Sequence, residues 1–311
     1  MYIKTNVNSK NILDSNHRKT TDHRSLHRLA LLRKIGLIDS SSGLDFSRAA
    51  TFLELKLAYG MNYRIFLENG YIEPNFMGMR IRPWELNAAT ATFLARANHR
   101  IVGTISLAPH IPEAGLPSGW LFDREMDMLA KGATRIAEAC NNSVIGDYRQ
   151  HSIPIEFYRC MLAHVWHAGI DTVTAVVNKN HRAFYEFFYM TKIGEEKSYS
   201  DRYYDPVVCM AIDCNRLREY LSSPESDNGT ADSYLRDYLL FKNPYLELVQ
   251  KWEKRAIDEF VRERIGKRFM EESRNLLVDS ILEEMHPSQF PVPDHSDPIY
   301  WFFRSKSCSK P

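Results

Sequence analysis

The chain has 311 residues, 44% hydrophobic and 25% charged, with a formal net charge of +1. That length suffices to bury a full core, as one large domain with an extension or as two modest domains, and the near-neutral balance excludes a global field drawing it to nucleic acid or anionic lipid. No apolar run approaches the roughly eighteen residues that a membrane span needs, and residues 1–14 lack the apolar stretch of a signal peptide, so a cytoplasmic protein is expected.

Residues 1 to about 20 are polar and carry no apolar period. Leu26, Leu29, Ala30, Leu32 and Ile35 then recur at helical spacing beside His23, Arg24, His27, Arg28, Arg33 and Lys34. This predicts a short basic amphipathic helix in a flexible arm, residues 1–45, with its apolar face docked on the protein itself. Residues 40–43 read as a loop, and residues 47–67 as helical, broken near Gly60 and Gly70. Residues 91–95 and 101–107 form a predicted hairpin around Asn98-His99. A strand is expected near residues 135–145, a helix over 154–168, a buried β-branched strand over 172–177, a helix over 181–188 and a last strand over 203–212.

This order predicts an α/β domain over residues 46–213, a mixed sheet with helices on its faces. Residues 222–229 read as a linker. Leu248, Trp252, Ile257, Phe260, Val261 and Ile265 then resume helical spacing, and Pro287, Pro291, Pro293 and Pro298 close it. Residues 214–311 are therefore a linker and a C-terminal helical extension.

Cys140, Cys160, Cys209, Cys214 and Cys308 show no zinc spacing and read as reduced thiols. His164 and His167 lie three apart on a predicted helix, but no H-E-x-x-H pattern or nearby carboxylate completes a site, so no metal is expected.

The richest segment is Val177-Asn178-Lys179-Asn180-His181-Arg182-Ala183-Phe184-Tyr185, at a strand-to-helix junction. On its residues alone it reads equally as a strand end with an Asn turn and a core tyrosine. Asn178, with Tyr185 seven residues on, resembles the GNAT N-acetyltransferase superfamily. Tyr63 to Pro74 and Arg80-Ile81-Arg82-Pro83-Trp84-Glu85 extend the likeness. So do Val102 to Leu107, Leu116-Pro117-Ser118, Glu125-Met126-Asp127 and Ala137-Glu138-Ala139. Together these blocks resemble the long-chain N-acyl amino acid synthases, GNAT-fold relatives of the acyl-homoserine-lactone synthases, over roughly residues 46–213.

The resemblance implies a GNAT fold with a mixed, mostly antiparallel sheet. It also implies transfer of a long or medium acyl chain from acyl carrier protein to the amine of an amino acid, with no tightly bound cofactor. Asn178 would face the pantetheine arm, and Tyr185 would protonate the departing thiolate. Amide formation also needs a base, for which Glu138 is the candidate, directly or through water, if burial raises its pKa toward neutrality. The alternative for Glu138 is a structural ion pair with Arg135 or Arg64. Backbone N–H groups around residues 140–144 would bind the oxyanion. Arg64, Arg80 and Arg82 are candidates for gripping the acceptor's carboxylate through paired hydrogen bonds, or are scaffold arginines. Glu125 either holds the acceptor's ammonium or caps a helix.

Departures from the pattern matter too. CoA-using GNAT enzymes wrap the pyrophosphate in a Gln/Arg-x-x-Gly-x-Gly/Ala loop, whereas residues 147–154 contain no glycine. The single phosphate of acyl carrier protein, bound by Arg149 and His151, is therefore favoured over acyl-CoA. Cys140-Asn141 stands where lactone synthases show Ser-Arg, against lactone synthesis, and Tyr189-Met190 where many GNAT chains have Gly-Phe. Arg149, Arg159, Lys179 and Arg182 would form a basic rim for an acidic carrier. The Lys and Arg residues of 251–268 interleave with Glu253, Asp258, Glu259 and Glu263 and read as a solvated face. Two other readings stay open: a CoA-dependent N-acetyltransferase of a small amine, and a non-catalytic acyl- or partner-binding module.

Overall fold

The computed structural model describes residues 43–133, 135–149, 152–199, 205–223 and 231–283. The predicted N-terminal helix, most of the predicted linker, the C-terminal tail and His151 lie outside the described residues. The elements are β1 (Leu44–Arg48), α1 (Phe52–Glu68), β2 (Ala91–Ala97), β3 (Arg100–Pro109), α2 (Asp123–Gly132), β4 (Ile136–Val144), α3 (Ile153–Ala168) and β5 (Thr172–Asn178). There follow α4 (Arg182–Phe187), β6 (Thr191–Lys197), β7 (Val207–Asp213), α5 (Cys214–Ser222), α6 (Ala231–Arg236), α7 (Tyr245–Arg262) and α8 (Ile265–Glu283).

The strands form one mixed sheet in the order β1-β2-β3-β4-β5-β7-β6. The ladders β1–β2, β2–β3, β5–β7 and β6–β7 are antiparallel. This is the α/β, helix-flanked GNAT arrangement that the resemblance implied, with β7 inserted between β5 and β6. Among the described residues no helix is long and apolar enough to cross a membrane. The chain divides into two compact units, residues 118–138 with 150–247, and residues 43–117 with 139–149 and the helices from 248 onward.

In the second unit, residues 44–48 are a strand and not the start of the helix expected from residue 47. Phe46 and Arg48 are buried at alternate positions, and Arg48 forms an ion pair with Glu253. The helix begins five residues later, because Thr51 accepts from the Glu54 N–H at 3.2 Å and Glu54 accepts from the Thr51 N–H at 3.1 Å, closing a capping box. It runs unbroken through Gly60. An interior helical glycine costs about 1 kcal/mol, which burial of Ala58, Tyr59 and Met61 around it offsets. The predicted hairpin is present, with Asn98 at φ 47° and His99 at φ 65°, the paired left-handed residues that match strand twist. Phe52, Leu55 and Tyr59 of α1 share a core with Met77, Met79, Leu94, and Ile265 and Phe269 of α8. The Phe269 ring lies 4.6 Å from Phe52 and 5.7 Å from Tyr59.

In the first unit, α3 is buried along most of its length and ends at Gly169, whose φ of 65° provides the left-handed cap. β6, α2 and α5 are among the elements that escaped the sequence reading. β6, Thr-Lys-Ile-Gly-Glu-Glu-Lys, is a sheet-end strand with little apolar alternation. α2 and α5 are short and polar, and α5 starts where the Asp213 carboxylate accepts from the Arg216 N–H at 2.9 Å.

Candidate active site

Glu138, near the start of β4, is 2% exposed. Its two carboxylate oxygens accept from one residue, the Ser118 N–H at 2.9 Å and the Ser118 hydroxyl at 2.6 Å. Arg135, weighed as its partner, points elsewhere: its guanidinium donates to the Ala168 carbonyl at 2.7 Å and its N–H to Asp171 at 2.8 Å. Cys209 of β7 lies in the fields of Glu138 and Glu125. Burial first, then those two charges, push its thiol well above the usual range, so it stays protonated.

The segment from Ser118 to Glu125 is fastened at its other end as well. The Lys197 ammonium of β6 donates to the Leu121 carbonyl at 2.8 Å and to Glu125 at 3.1 Å, and lies 4.6 Å from the Phe122 ring centroid. Glu125 folds over Gly194, which has φ +68°. A Cβ there would sit 2.6 Å from both Cγ and Cδ of Glu125, so the strand yields a side chain to admit the carboxylate. Glu125, a candidate for the acceptor's ammonium, thus carries a lysine partner.

Asn178 ends β5. Its side-chain oxygen accepts from the Asn180 N–H at 2.8 Å and its amide donates to Asp205 at 3.0 Å, so it also serves as the turn that the sequence alone allowed. Tyr185 is half-buried on α4, its ring edge-on to Phe184 at 5.3 Å.

At the start of α3, Ser152 is 2% exposed and its hydroxyl has no hydrogen-bond partner among the described residues. The N–H groups of Ile155 and Glu156 both turn to the Ser152 carbonyl at 3.0 Å, and Pro154 has none to offer. Arg159, expected on a basic rim, is 7% exposed and bonded to Glu156, because the charge that marked it as a surface residue is neutralised one turn away. Lys179 and Arg182 do lie at the surface, paired with Glu196 and Glu186.

The second unit holds the other candidates. Arg82 grips Glu85, its Nη2 2.7 Å from Oε1 and its Nε 3.2 Å from Oε2, and the Arg82 N–H adds a bond at 2.6 Å. The same Nη2 lies 3.4 Å from the Cys140 sulfur and 3.4 Å from Asn141 Oδ1, while Asn141 Nδ2 donates to Glu85 at 2.8 Å. Burial opposes ionisation of Glu85, but the charge and hydrogen bonds of Arg82 outweigh it and hold the carboxyl below its ordinary range. Asn141 itself has φ +54° in the middle of β4. The Arg82–Glu85 pair thus fixes the side chain of a left-handed strand residue, which re-aims the adjoining backbone. Arg80 lies 4.7 Å over the Phe66 ring, Arg64 is exposed on α1, and exposed Arg149 donates to the Val144 carbonyl at 3.2 Å.

Ser118 and Glu85 stood in the blocks that carry the resemblance and Asn141 in a departure from it, but none of the three was given a site role from sequence. Arg82-x-x-Glu85 was the one local signal, since i,i+3 partners face each other on a helical turn. Among the described residues no group of three or more His, Cys, Asp or Glu side chains is placed to hold a metal.

The profile of the family described as N-acyl amino acid synthase FeeM matches residues 58–213. Among solved structures the chain is similar to FeeM, an N-acyl amino acid synthase from uncultured soil microbes, at 18% identity over 57% of this chain and 93% of that one, with a TM-score of 0.49. It is also similar to BjaI, a CoA-dependent acyl-homoserine lactone synthase, at 15% identity over 58% and 91%, TM-score 0.45. An acyl-CoA N-acyltransferase from Pseudomonas aeruginosa gives 14% identity over 54% and 98%, TM-score 0.41. No curated protein sequence matches the chain.

Proposed function

This chain belongs to the family of N-acyl amino acid synthase FeeM and is an acyltransferase, and from that premise we propose that it moves a long or medium acyl chain from acyl carrier protein to the amine of an amino acid. The observation that carries the reading is Glu138, a buried carboxylate held at both oxygens by Ser118. A general base must be oriented before the substrate arrives, and this one is.

In the proposed reaction the neutral amine attacks the thioester carbonyl while Glu138 takes the amine proton. The C–N bond forms, the C–S bond breaks, and Tyr185 gives its hydroxyl proton to the departing sulfur, leaving amide and free carrier thiol. Tyr185 is reprotonated through solvent by the proton that Glu138 holds. Asn178 positions the pantetheine. Backbone N–H groups of residues 140–144, re-aimed at Asn141, bind the oxyanion. Arg82 is bonded to Glu85, and Arg64 and Arg80 remain candidates from sequence for the acceptor's carboxylate.

The start of α3 supports the carrier protein as donor. Among the described residues, Pro154 and the inward-turned N–H groups of Ile155 and Glu156 offer a diphosphate few donors, whereas the carrier's single phosphate needs only Arg149 and His151, the two residues expected from sequence to bind it. The test is mass spectrometry of lipid extracts from a host expressing the chain, with a Glu138→Gln control, followed by purified enzyme offered matched acyl-carrier and acyl-CoA thioesters. New N-acyl amino acids that vanish in the control, made faster from the carrier thioester, are expected. Product formed equally by Glu138→Gln overturns the base assignment. Product formed only from acyl-CoA replaces the donor with CoA.

A further inference from the structure

The family match ends at residue 213, yet the chain beyond it reaches back to the first turns of α3. Glu156, in the first turn, is 4% exposed. Its Oε1 accepts from the Tyr238 hydroxyl at 2.5 Å and its Oε2 from the Tyr245 hydroxyl at 2.7 Å. Arg159 Nη1 donates to both oxygens, at 2.9 and 3.0 Å. Four hydrogen bonds thus reach that carboxylate, two at each oxygen.

Arg159 is held in turn. Its guanidinium lies 4.1 Å over the Tyr238 ring and 5.6 Å over the Tyr245 ring, and Nη2 donates to the Lys242 carbonyl. Asn243 donates to the Arg159 carbonyl at 3.1 Å and to the Leu239 carbonyl at 3.0 Å, and accepts from the Tyr245 N–H at 3.1 Å. Residues Asp237–Phe241, which include Tyr238, form a π-helical turn, a wide and uncommon geometry that recurs at functional positions.

We propose that Tyr238 and Tyr245 are positioning residues that, through Glu156, fix the first turn of α3 in the orientation that receives the acyl donor's phosphate. This rests on the donor assignment above. A buried ion pair is a poor device for stability alone, because apolar residues of similar volume do as well or better. What it supplies is orientation: four hydrogen bonds converge on one carboxylate and leave it one pose. The end of a helix is where that matters, since its first turn lacks partners of its own and frays. Glu156 is four residues from Ser152, so whatever fixes the carboxylate fixes the start of the helix. Arg159 also offsets the negative charge that would otherwise stand within one turn of an anionic donor.

The test uses the full chain and Tyr238→Phe, Tyr245→Phe and the double variant, which keep the rings over Arg159 and remove only hydroxyls. Steady-state constants are measured with acyl carrier protein thioester and the acceptor found in the lipid extracts, and amide hydrogen exchange is followed over residues 152–157. The donor KM should rise roughly tenfold in the double variant, the order of one hydrogen bond to a charged group. The acceptor KM and kcat should stay within about twofold, while exchange quickens at those amides and not in β5. An unchanged donor KM in folded double variant overturns the proposal, as does a parallel fall of all constants with the fraction folded. If the double variant does not fold, Tyr238→Phe alone decides on the same criteria. Wild-type enzyme inert toward acyl carrier thioester overturns the donor assignment and the proposal with it, whereas active wild type with unaltered variants overturns the proposal alone.

Discussion

Replacing Ser118 by Ala separates the orienting of Glu138 from the carboxylate itself. The change deletes the 2.6 Å hydroxyl bond and keeps the 2.9 Å bond from the backbone N–H, so one buried carboxylate oxygen loses a hydrogen bond. A hydrogen bond to a buried charge contributes about 1.5–3 kcal/mol. In a protein of this size that lowers the melting temperature by about 3–10 °C. If Glu138 works as the base, the carboxylate also swings, and kcat should fall roughly 10- to 100-fold with both KM values little changed. Ser118→Thr, which keeps the hydroxyl, should recover most of the rate. The deciding measurement is the double-mutant cycle with Glu138→Gln. Because Ser118 acts through Glu138, adding Ser118→Ala to Glu138→Gln should cost little further activity. Additive losses in kcat would show that Ser118 serves the reaction independently. A destabilised Ser118→Ala protein with undiminished kcat would refute the idea that this tie matters to catalysis.

Glu85→Gln should destabilise by about 3–5 kcal/mol near neutral pH, since it strips a buried arginine of its partner. Glu85 is held below its ordinary value, so its contribution is full above the unfolded value of about 4.3 and is lost as pH falls through the lower folded value. Chemical denaturation across pH should therefore show the gap to wild type narrowing under acid. An equal gap at every pH would mean that the carboxylate's charge is not what matters. At Asn141, φ +54° predicts that Asn141→Gly keeps the backbone while Asn141→Ala loses about 1–2 kcal/mol in the same assay. Equal losses would refute strain as the reason. Gly194→Ala should cost about 1–3 kcal/mol, from its φ of +68° and the carboxylate lying over it. A second substitution, Glu125→Ala, should return part of that loss, and a purely additive pair would place the whole cost in the backbone.

Local signals were readable in the sequence where short-range geometry decides the outcome. The Asn98-His99 turn, the apolar run that became α3 and the β-branched strand β5 all follow from nearest neighbours. Residues 44–48 did not, because a five-residue strand offers only two inward positions and one of them is Arg48. Its charge becomes tolerable only through Glu253, 205 residues along the chain. Arg159 misled for the same reason, since the hydroxyls that receive it beside Glu156 lie 82 and 89 residues past that carboxylate. Glu138 was legible through its block, but its tie to Ser118, in another block 20 residues away, was not. Polar residues reveal their types in sequence and their partners only in space.

The pairing of Phe269 with Phe52 and Tyr59 bears on how the chain is made. A ribosome adding about 5–20 residues per second needs roughly ten to thirty-five seconds to travel from Leu94 to Phe269. Until then the apolar side of α1 and Leu94 lacks its cover and must be shielded by other means. A message cut just after residue 213 would encode nearly every residue of the acyltransferase signature and still yield a protein with an open core, selected against by quality control before chemistry is ever at issue.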